Sequence, residues 1–195
     1  MAYDLNKFKT ASPAQVNYDF VDIANGTGYE TYYLIESEDS GGKDYHLTPQ
    51  TDYSNSVMIS ITSGASPSDI DYDLSPFVFP RTINGTALIS LSIRGSNNIT
   101  PTYAVYLYRW DGTTETQLGT AQLTTAALTG NIMLYFRIDI DNEIIPAGQQ
   151  LRCRVVLTNA TGTAAQYGID PAGRTDAGLD ITTQSKIHIP YKLDL

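Results

Sequence analysis

Apolar and polar residues alternate along much of this chain, most clearly between Asn131 and Leu157. The apolar positions there lie two residues apart on both sides of a Pro146-Ala147-Gly148 turn, and they are Leu134, Phe136, Ile138, Ile140, Leu151, Cys153, Val155 and Leu157. A period of two is typical of a β-strand with one face against a core. Proline cannot continue a ladder and glycine tolerates turn conformations, so the stretch predicts a two-stranded hairpin of a β-sandwich.

The same period recurs along the chain without a convincing amphipathic helix. The other predicted strands are Val57–Thr62, Phe77–Ile83, Ala87–Arg94, Tyr103–Trp110, Thr116–Leu123 and Lys186–Leu193. Asn84-Gly85 and Asp111-Gly112 each follow a strand-like run, and such pairs favour tight hairpin turns. The pattern predicts an all-β protein, an antiparallel β-sandwich of the jelly-roll type.

The first part of the chain differs from the rest. Residues 1–53 hold short apolar clusters separated by polar and Gly-rich runs, whereas regularly spaced strands begin at Ser54. We therefore expect an extended N-terminal arm with one or two added strands over residues 1–53, and the jelly-roll domain over residues 54–195. Strands of the arm could join the sheet of their own subunit or that of a neighbour, since exchange preserves the pattern.

Charge and composition narrow the possible partners. The 195 residues carry 21 acidic and 12 basic side chains, a formal net charge of −9, which repels nucleic acid and anionic lipid. No apolar run approaches the roughly 18 residues that span a bilayer, and the start of the sequence lacks the apolar centre of a signal peptide. We expect a protein made in the host cytoplasm that binds neither nucleic acid nor membrane.

The residues that could carry catalysis are few. The chain has two histidines, His46 and His188, and one cysteine, Cys153, which falls on the inward face of its strand. No Ser-His-Asp triad can be assembled, and the nucleophile-elbow, phosphate-loop and dinucleotide motifs are missing from the sequence. The sequence therefore predicts that the protein is not an enzyme, and it offers no catalytic, cofactor-binding or metal-ligating residues.

Three carboxylates alternate along one short segment. Asp69, Asp71 and Asp73 would point to one side of an extended chain, where oxygen ligands could collect a cation such as Ca²⁺. The segment lacks the spacing and glycine of a helix-loop-helix calcium site. A solvated acidic loop is the alternative that we favour.

Three aromatic residues alternate on another predicted strand. Tyr106, Tyr108 and Trp110 form a stripe on one face, while Val105 and Leu107 form the other face. Such a stripe can be a subunit contact, a surface on which sugar rings stack, or the core itself if the faces are reversed. These three residues are the candidate interface or glycan contacts.

Several segments resemble a jelly-roll module of virion proteins from tailed phages and related viruses. The resemblance covers Ser54 to Leu195, and its carriers are the Asp111-Gly112 hairpin, Ile145-Pro146-Ala147-Gly148 with the strand after it, Tyr167–Pro171 and Ile189-Pro190-Tyr191. It implies a virion structural protein of the head decoration, turret or fibre-base type. Such a protein binds the major capsid protein or other virion proteins, self-associates, often as a trimer, and stabilises the shell.

Two other functions stay open at this point. Similar sandwiches serve as carbohydrate-binding modules, and here Tyr106, Tyr108 and Trp110 would stack on a glycan of the host surface. A soluble enzyme of unknown type is the remaining possibility. On the virion hypothesis, the arm gains stability by lying across a neighbouring subunit or the shell.

Overall fold

The computed structural model describes residues 27–39, 42–51, 57–61, 67–99, 101–125, 128–158, 165–169 and 184–192. These residues form strands and loops without a helix. The strands are β1 (Thr27–Asp39), β2 (Gly42–Thr48), β3 (Val57–Ile61), β4 (Ser68–Asp73), β5 (Arg81–Ile99), β6 (Thr102–Trp110), β7 (Glu115–Thr125), β8 (Leu128–Ile145), β9 (Gln150–Thr158), β10 (Ala165–Ile169) and β11 (Lys186–Lys192). The prediction of an all-β protein is confirmed.

All eleven strands belong to one curled sheet. Its continuous path runs in the order β8, β5, β11, β1, β2, β4, β9, β6 and β7. A short branch also starts at β5: β10 pairs with residues 92–94 of β5, and β3 pairs with β10. The neighbouring strands are antiparallel except β2 and β4, which are parallel and paired only at His46 and Asp73. The sheet is therefore mixed, which corrects the expectation of a purely antiparallel one.

The two ends of this path come back into contact at Gly119. Gly119, on β7, has a φ of +66° and lies against Asp139 and Ile138 of β8. A Cβ atom added at Gly119 would overlap the carbonyl oxygen of Asp139 and would lie 2.7 Å from Cγ2 of Ile138. Only glycine combines this left-handed conformation with so close an approach of two backbones.

The core fills the inside of the curl, as the alternation predicts. On β9, Leu151, Cys153, Val155 and Leu157 are fully buried, and the residues between them are half-buried. Three tyrosines are also fully buried, and the hydroxyl groups of Tyr72 and Tyr167 are hydrogen bonded to each other at 2.9 Å. This pairing satisfies both hydroxyl groups, which would otherwise be costly to bury.

The predicted hairpin between Asn131 and Leu157 is wrong in its pairing. The Pro146–Gly148 turn does join β8 to β9, and both strands bury the predicted faces. However, β8 pairs with β5, whereas β9 lies between β4 and β6. The alternation specifies which face meets the core, but the partner strand is chosen by contacts with distant parts of the chain.

The Asn84-Gly85 pair does not make a hairpin turn. Instead, β5 continues through it, with a shift in its pairing to β8 between Ile83 and Gly85. Gly85 has a φ of +124°, so the pair forms a bulge within one long strand. In contrast, the Asp111-Gly112 hairpin is confirmed: it joins β6 to β7, and Asp111 Oδ1 accepts hydrogen bonds from the backbone N–H groups of Thr113 and Thr114.

The remaining sequence-based boundaries differ in detail. The predicted strand Phe77–Ile83 begins at Arg81, and residues 74–80 form a loop. From residues 1–53, β1 and β2 lie in the sheet, where β1 pairs with β11 and β2. Residues 1–26 of the predicted arm lie outside the described residues. No helix in the described part of the chain is long and apolar enough to cross a membrane.

Candidate functional site

A network of charged side chains covers the outer face of β4, β9, β6 and β7. Arg152 Nε and Nη2 donate hydrogen bonds to both carboxylate oxygens of Asp73, at 2.6 and 2.7 Å. Arg154 makes the same two-pronged contact with Asp71, at 2.6 and 2.9 Å. Glu115 Oε1 joins the two halves, because it accepts from Nη1 of Arg152 and from Nη2 of Arg154.

Each guanidinium group also lies over an aromatic ring. The Cζ atom of Arg152 is 4.2 Å from the ring centroid of Trp110, and that of Arg154 is 5.0 Å from the centroid of Tyr108. Tyr108 in turn stacks on Tyr106, with 6.0 Å between the ring centroids. We call this set the outer ladder: Asp69, Asp71, Asp73, Tyr106, Tyr108, Trp110, Glu115, Arg152 and Arg154.

The three predicted contact residues therefore share the outer face. Tyr106, Tyr108 and Trp110 are half-buried, whereas Val105 and Leu107 are fully buried, so the reversed assignment of the faces is wrong. The guanidinium groups lie over the rings of Tyr108 and Trp110 and give them part of their burial. Hydrogen bonds to carboxylates raise the pKa of both guanidinium groups, chiefly the bonds to Asp73 for Arg152 and to Asp71 for Arg154. Both arginines therefore stay charged.

The three aspartates do project to one side of β4, but arginine is their partner. Arg154 Nε lies 3.2 Å from Asp69, and Arg152 Nη1 lies 3.1 Å from Asp71. The segment is a strand whose carboxylates pair with arginines, so the favoured interpretation as a solvated acidic loop is wrong. Among the described residues, no cluster of three or more His, Cys, Asp or Glu side chains is arranged to hold a metal ion.

A large open cleft lies where β2 and β4 separate. Because only His46 and Asp73 pair there, the two strand edges diverge on either side of that contact. The cleft has a volume of about 1030 Å³. Its polar lining includes Glu30, Lys43, Asp44, His46, Gln50, Asp69, Asp71, Asp73, Arg81 and Gln150, and its aromatic lining is Tyr32, Tyr45 and Phe77.

The aromatic residues of the cleft are held in place by ring contacts and hydrogen bonds. Tyr45 meets the buried Tyr72 edge to face, with 5.5 Å between the centroids, and Phe77 meets Tyr191 in the same way at 6.0 Å. The hydroxyl group of Tyr32 donates to Glu30, and burial is the main reason that its pKa is raised. Tyr45 also has a raised pKa, owing first to burial and then to Glu36. These phenols are therefore neutral hydrogen-bonding groups at neutral pH.

The single cysteine and the terminal histidine do not face this cleft. Cys153 is fully buried, and burial raises the pKa of its thiol to about 12, so it is not a nucleophile. His188 Nδ1 is hydrogen bonded to Thr31 Oγ1 at 2.8 Å, and burial lowers its pKa. His46 does line the cleft, with Nε2 at 3.0 Å from Ser37 Oγ.

Comparisons with known proteins found solved structures with a similar fold, but they did not assign the chain to a family. No family model matches the sequence, and no curated protein is similar to it at a significant level. An α-amino acid ester hydrolase shares the fold with a TM-score of 0.59 and 12% identity, over 83% of this chain and 36% of the hydrolase. An aminopeptidase from a marine sediment Thaumarchaeota archaeon matches with a TM-score of 0.54 and 10% identity, over 83% of this chain and 37% of the aminopeptidase. A CocE/NonD family hydrolase from Staphylococcus aureus matches with a TM-score of 0.52 and 10% identity, over 85% of this chain and 37% of the hydrolase. The chain spans little more than a third of the length of these hydrolases.

These neighbours correct the prediction that the protein is not an enzyme. That prediction rested on missing motifs, and the three structures with TM-scores above 0.5 named here are all hydrolases. At 10–12% identity, the likeness shows a shared fold. The infectious bursal disease virus VP2 subviral particle matches with a TM-score of 0.29 and 10% identity over 85% of this chain and 42% of that one, too low to carry an argument.

The sequence pointed to the outer ladder but not to the cleft. Arg152 and Arg154 alternate just as the aspartates do, so that spacing could have indicated the ion pairs. The cleft depends on how far β2 stands from β4, and no local pattern encodes this distance. Asp44, Tyr45 and Gln150 were therefore missed.

Proposed function

We propose that this protein is a jelly-roll-type β-sandwich that binds carbohydrate in the cleft between β2 and β4. The observation that carries the proposal is the cleft itself, a concave surface lined by carboxylates, two glutamine amides and three aromatic side chains. Concave sites with a few convergent polar groups are where proteins bind small ligands. The curled path of strands, with β8 and β9 in separate places despite their short connection, supports the jelly-roll arrangement.

The chemistry of the lining selects among ligand classes. Carboxylate and amide oxygens accept hydrogen bonds from sugar hydroxyl groups, and the amide also donates. Carboxylates outnumber the cations of the lining, Lys43 and Arg81, so the cleft repels phosphate, sulfate and sialic acid. An entirely apolar ligand would leave these groups without partners, at a cost in free energy. Neutral sugars and amino sugars satisfy both conditions.

The hydrolases that share the fold suggest how a glycan-binding protein of this kind could be used. The chain matches about a third of each of them, so it corresponds in size to one part of a larger enzyme. A glycan-binding part can hold a substrate beside a catalytic one. Any ligand that binds should therefore also be followed over time for hydrolysis.

We expect replacement of Asp44 by alanine to weaken glycan binding about tenfold. Asp44 is exposed and lines the cleft, and a hydrogen bond to a charged group contributes roughly 1.5 kcal/mol or more. A glycan array with neutral, amino and sialylated sugars would select the ligand, and calorimetry would compare the variants. Asp141→Ala, an exposed aspartate on β8, is the matched control.

Trp110→Leu separates the cleft from the outer ladder as the glycan site. Unchanged affinity in Trp110→Leu together with weaker binding in Asp44→Ala supports the cleft. If Trp110→Leu alone abolished binding in a folded protein, the sugar would lie on the outer ladder instead. If the purified protein bound no sugar on the array, the proposal would fail.

The outer ladder favours a second candidate function, that of a self-associating virion protein of the capsid decoration or turret type. Tyrosine, tryptophan and arginine are enriched at protein interfaces, and the outer ladder presents all three in a fixed arrangement. Ion pairs that are already formed reduce the side-chain entropy lost when a partner binds. We propose a second copy of this chain as that partner, with a trimer expected from the resemblance to virion modules.

Replacement of Tyr106 by glutamate should then convert the oligomer into a monomer. The new carboxylate would lie beside Arg154, its register partner, so the subunit should stay folded. Light scattering after size-exclusion chromatography, over a concentration series, would give the mass. Tyr135→Glu on β8 is the control, because Tyr135 is 74% exposed on a different strand. A wild-type monomer at every concentration would contradict this second candidate.

A further inference from the structure

The loop from Leu74 to Pro80 forms one rim of the cleft and is fixed by backbone hydrogen bonds. The N–H group of Leu74 donates to the carbonyl oxygen of Leu151 at 2.9 Å. Phe77 exchanges two bonds with the turn before β9: its N–H donates to Gln149 at 2.9 Å, and its carbonyl accepts from Gly148 at 2.8 Å. With Phe77 packed on Tyr191, the middle of the loop is anchored to the body of the sheet.

The next two residues of this anchored loop are exposed although they are apolar. Val78 is 81% and Phe79 74% exposed, and Pro80 follows them directly. Residues on both sides of the pair, Phe77 and Arg81, line the cleft. Phe79 itself is not part of the cleft lining, but it lies two residues from both Phe77 and Arg81 on an anchored loop, and proline restricts the backbone before it.

An exposed aromatic ring in this position fits the apolar face of a sugar ring. The C–H groups on one face of a pyranose carry small positive partial charges, and the face of an aromatic ring is negative. The acidic groups of the cleft and the net charge of −9 make an anionic lipid surface an unfavourable partner for the same loop. A glycan already held in the cleft would bring its next unit towards this rim.

We propose that Phe79 stacks on a sugar unit outside the cleft, so that the site recognises oligosaccharides in preference to monosaccharides. This inference rests on the proposed glycan-binding function and adds the length of the ligand to it. The cleft binds one end of the chain of sugars, and the Phe79 ring supplies a second contact one or two units away. Two linked contacts of this kind raise affinity without a change in the cleft.

Calorimetry with a length series would test the inference. The probes are glucose, mannose, glucosamine and N-acetylglucosamine, each as the monosaccharide and as linear oligomers of two to five units. Phe79→Ala should lower the affinity for the tetramer of the bound sugar about fivefold and leave the affinity for the monosaccharide unchanged, as expected for one lost stacking contact. Tyr135→Ala removes an equally exposed aromatic side chain from β8 and should change neither affinity.

The outcomes separate this inference from the function on which it rests. If the wild-type protein binds the oligomers and Phe79→Ala binds them equally well, the role of Phe79 is overturned and glycan binding stands. An equal loss for monosaccharide and tetramer would place Phe79 in the cleft itself and also overturn the inference. If the wild-type protein binds neither these probes nor any sugar on the array, the proposed function fails, and the inference fails with it.

Discussion

Replacing Gly119 by alanine is expected to lower the free energy of unfolding by about 2–4 kcal/mol. A left-handed conformation costs a residue with a Cβ atom about 1–2 kcal/mol, and forcing extra atoms into a packed site costs about 1–3 kcal/mol. Both costs arise here, because Gly119 has a φ of +66° and its added Cβ atom would overlap the Asp139 carbonyl oxygen. Urea unfolding followed by circular dichroism would measure the change.

Comparison with Gly148→Ala shows how much of the lost stability comes from the overlap with Asp139 and how much from the left-handed backbone conformation. Gly148 has a similar φ of +81°, but no heavy atom lies within 4 Å of a Cβ atom built there. Its alanine variant should lose only about 1–2 kcal/mol. Equal losses at both positions would mean that β7 does not pack directly on the backbone of β8.

Replacing Arg152 by methionine should destabilise the protein by about 2–4 kcal/mol. Its side chain is 12% exposed and contacts Asp71, Asp73 and Glu115. Its removal leaves Asp73 without its guanidinium partner, and three neighbouring carboxylates then share Arg154 alone. Removing one partner of a buried ion pair is costly for this reason, and partial exposure reduces the cost below the buried limit. Thermal and urea unfolding would report the loss.

Arg137→Met is the control for the Arg152 variant. Arg137 is exposed on β8 and is not part of the outer ladder, so its replacement should change stability by less than about 0.5 kcal/mol. A second comparison uses Asp73→Asn in the Arg152→Met background, because Asp71 and Glu115 still pair with Arg154 whereas Asp73 loses the arginine that it contacts. Since the asparagine removes the carboxylate left without a cation, it should recover part of the lost stability. A further loss in that double variant would contradict the electrostatic account.

The outer ladder and the cleft share one wall. Asp71 and Asp73 line the cleft, and the same carboxylates are fixed by Arg154 and Arg152 from the outer face. The arginines therefore hold these oxygens in set orientations towards any ligand.

Local sequence predicted the parts of the fold that depend on local chemistry. The alternation along β8 and β9 specified the buried face, and Asp111-Gly112 specified a hairpin, because side-chain direction and turn conformation are set by neighbouring residues. The same reasoning failed at Asn84-Gly85. A pair that favours a hairpin turn was also able to form a bulge, and the pairing of β5 with β8 on both sides of it decided between them.

In the candidate site, too, local features could be predicted from the sequence and contacts between distant residues could not. The alternating positions of Tyr106, Tyr108 and Trp110 predicted that these rings share one face but left open whether that face meets the core. The structure places it outside, with Val105 and Leu107 buried. Asp71 pairs with Arg154, 83 residues further along the chain, and Asp73 pairs with Arg152, 79 residues further. The spacing of the aspartates alone raised the possibility of a bound cation beside the solvated acidic loop that we favoured. Only the adjacency of β4 and β9 shows that protein cations fill that role.

The sequence by itself therefore determined the class of structure, the buried faces of β8 and β9 and the shared face of the aromatic stripe. Those properties follow from a repeat of two residues and need no knowledge of distant partners. The tertiary structure alone decided that β8 pairs with β5, that β7 meets β8 at Gly119, and that β2 separates from β4 to open the cleft. Each of these is a contact or a gap between segments far apart in the chain, where many pairings satisfy the same alternation and only the packing of the whole core selects one.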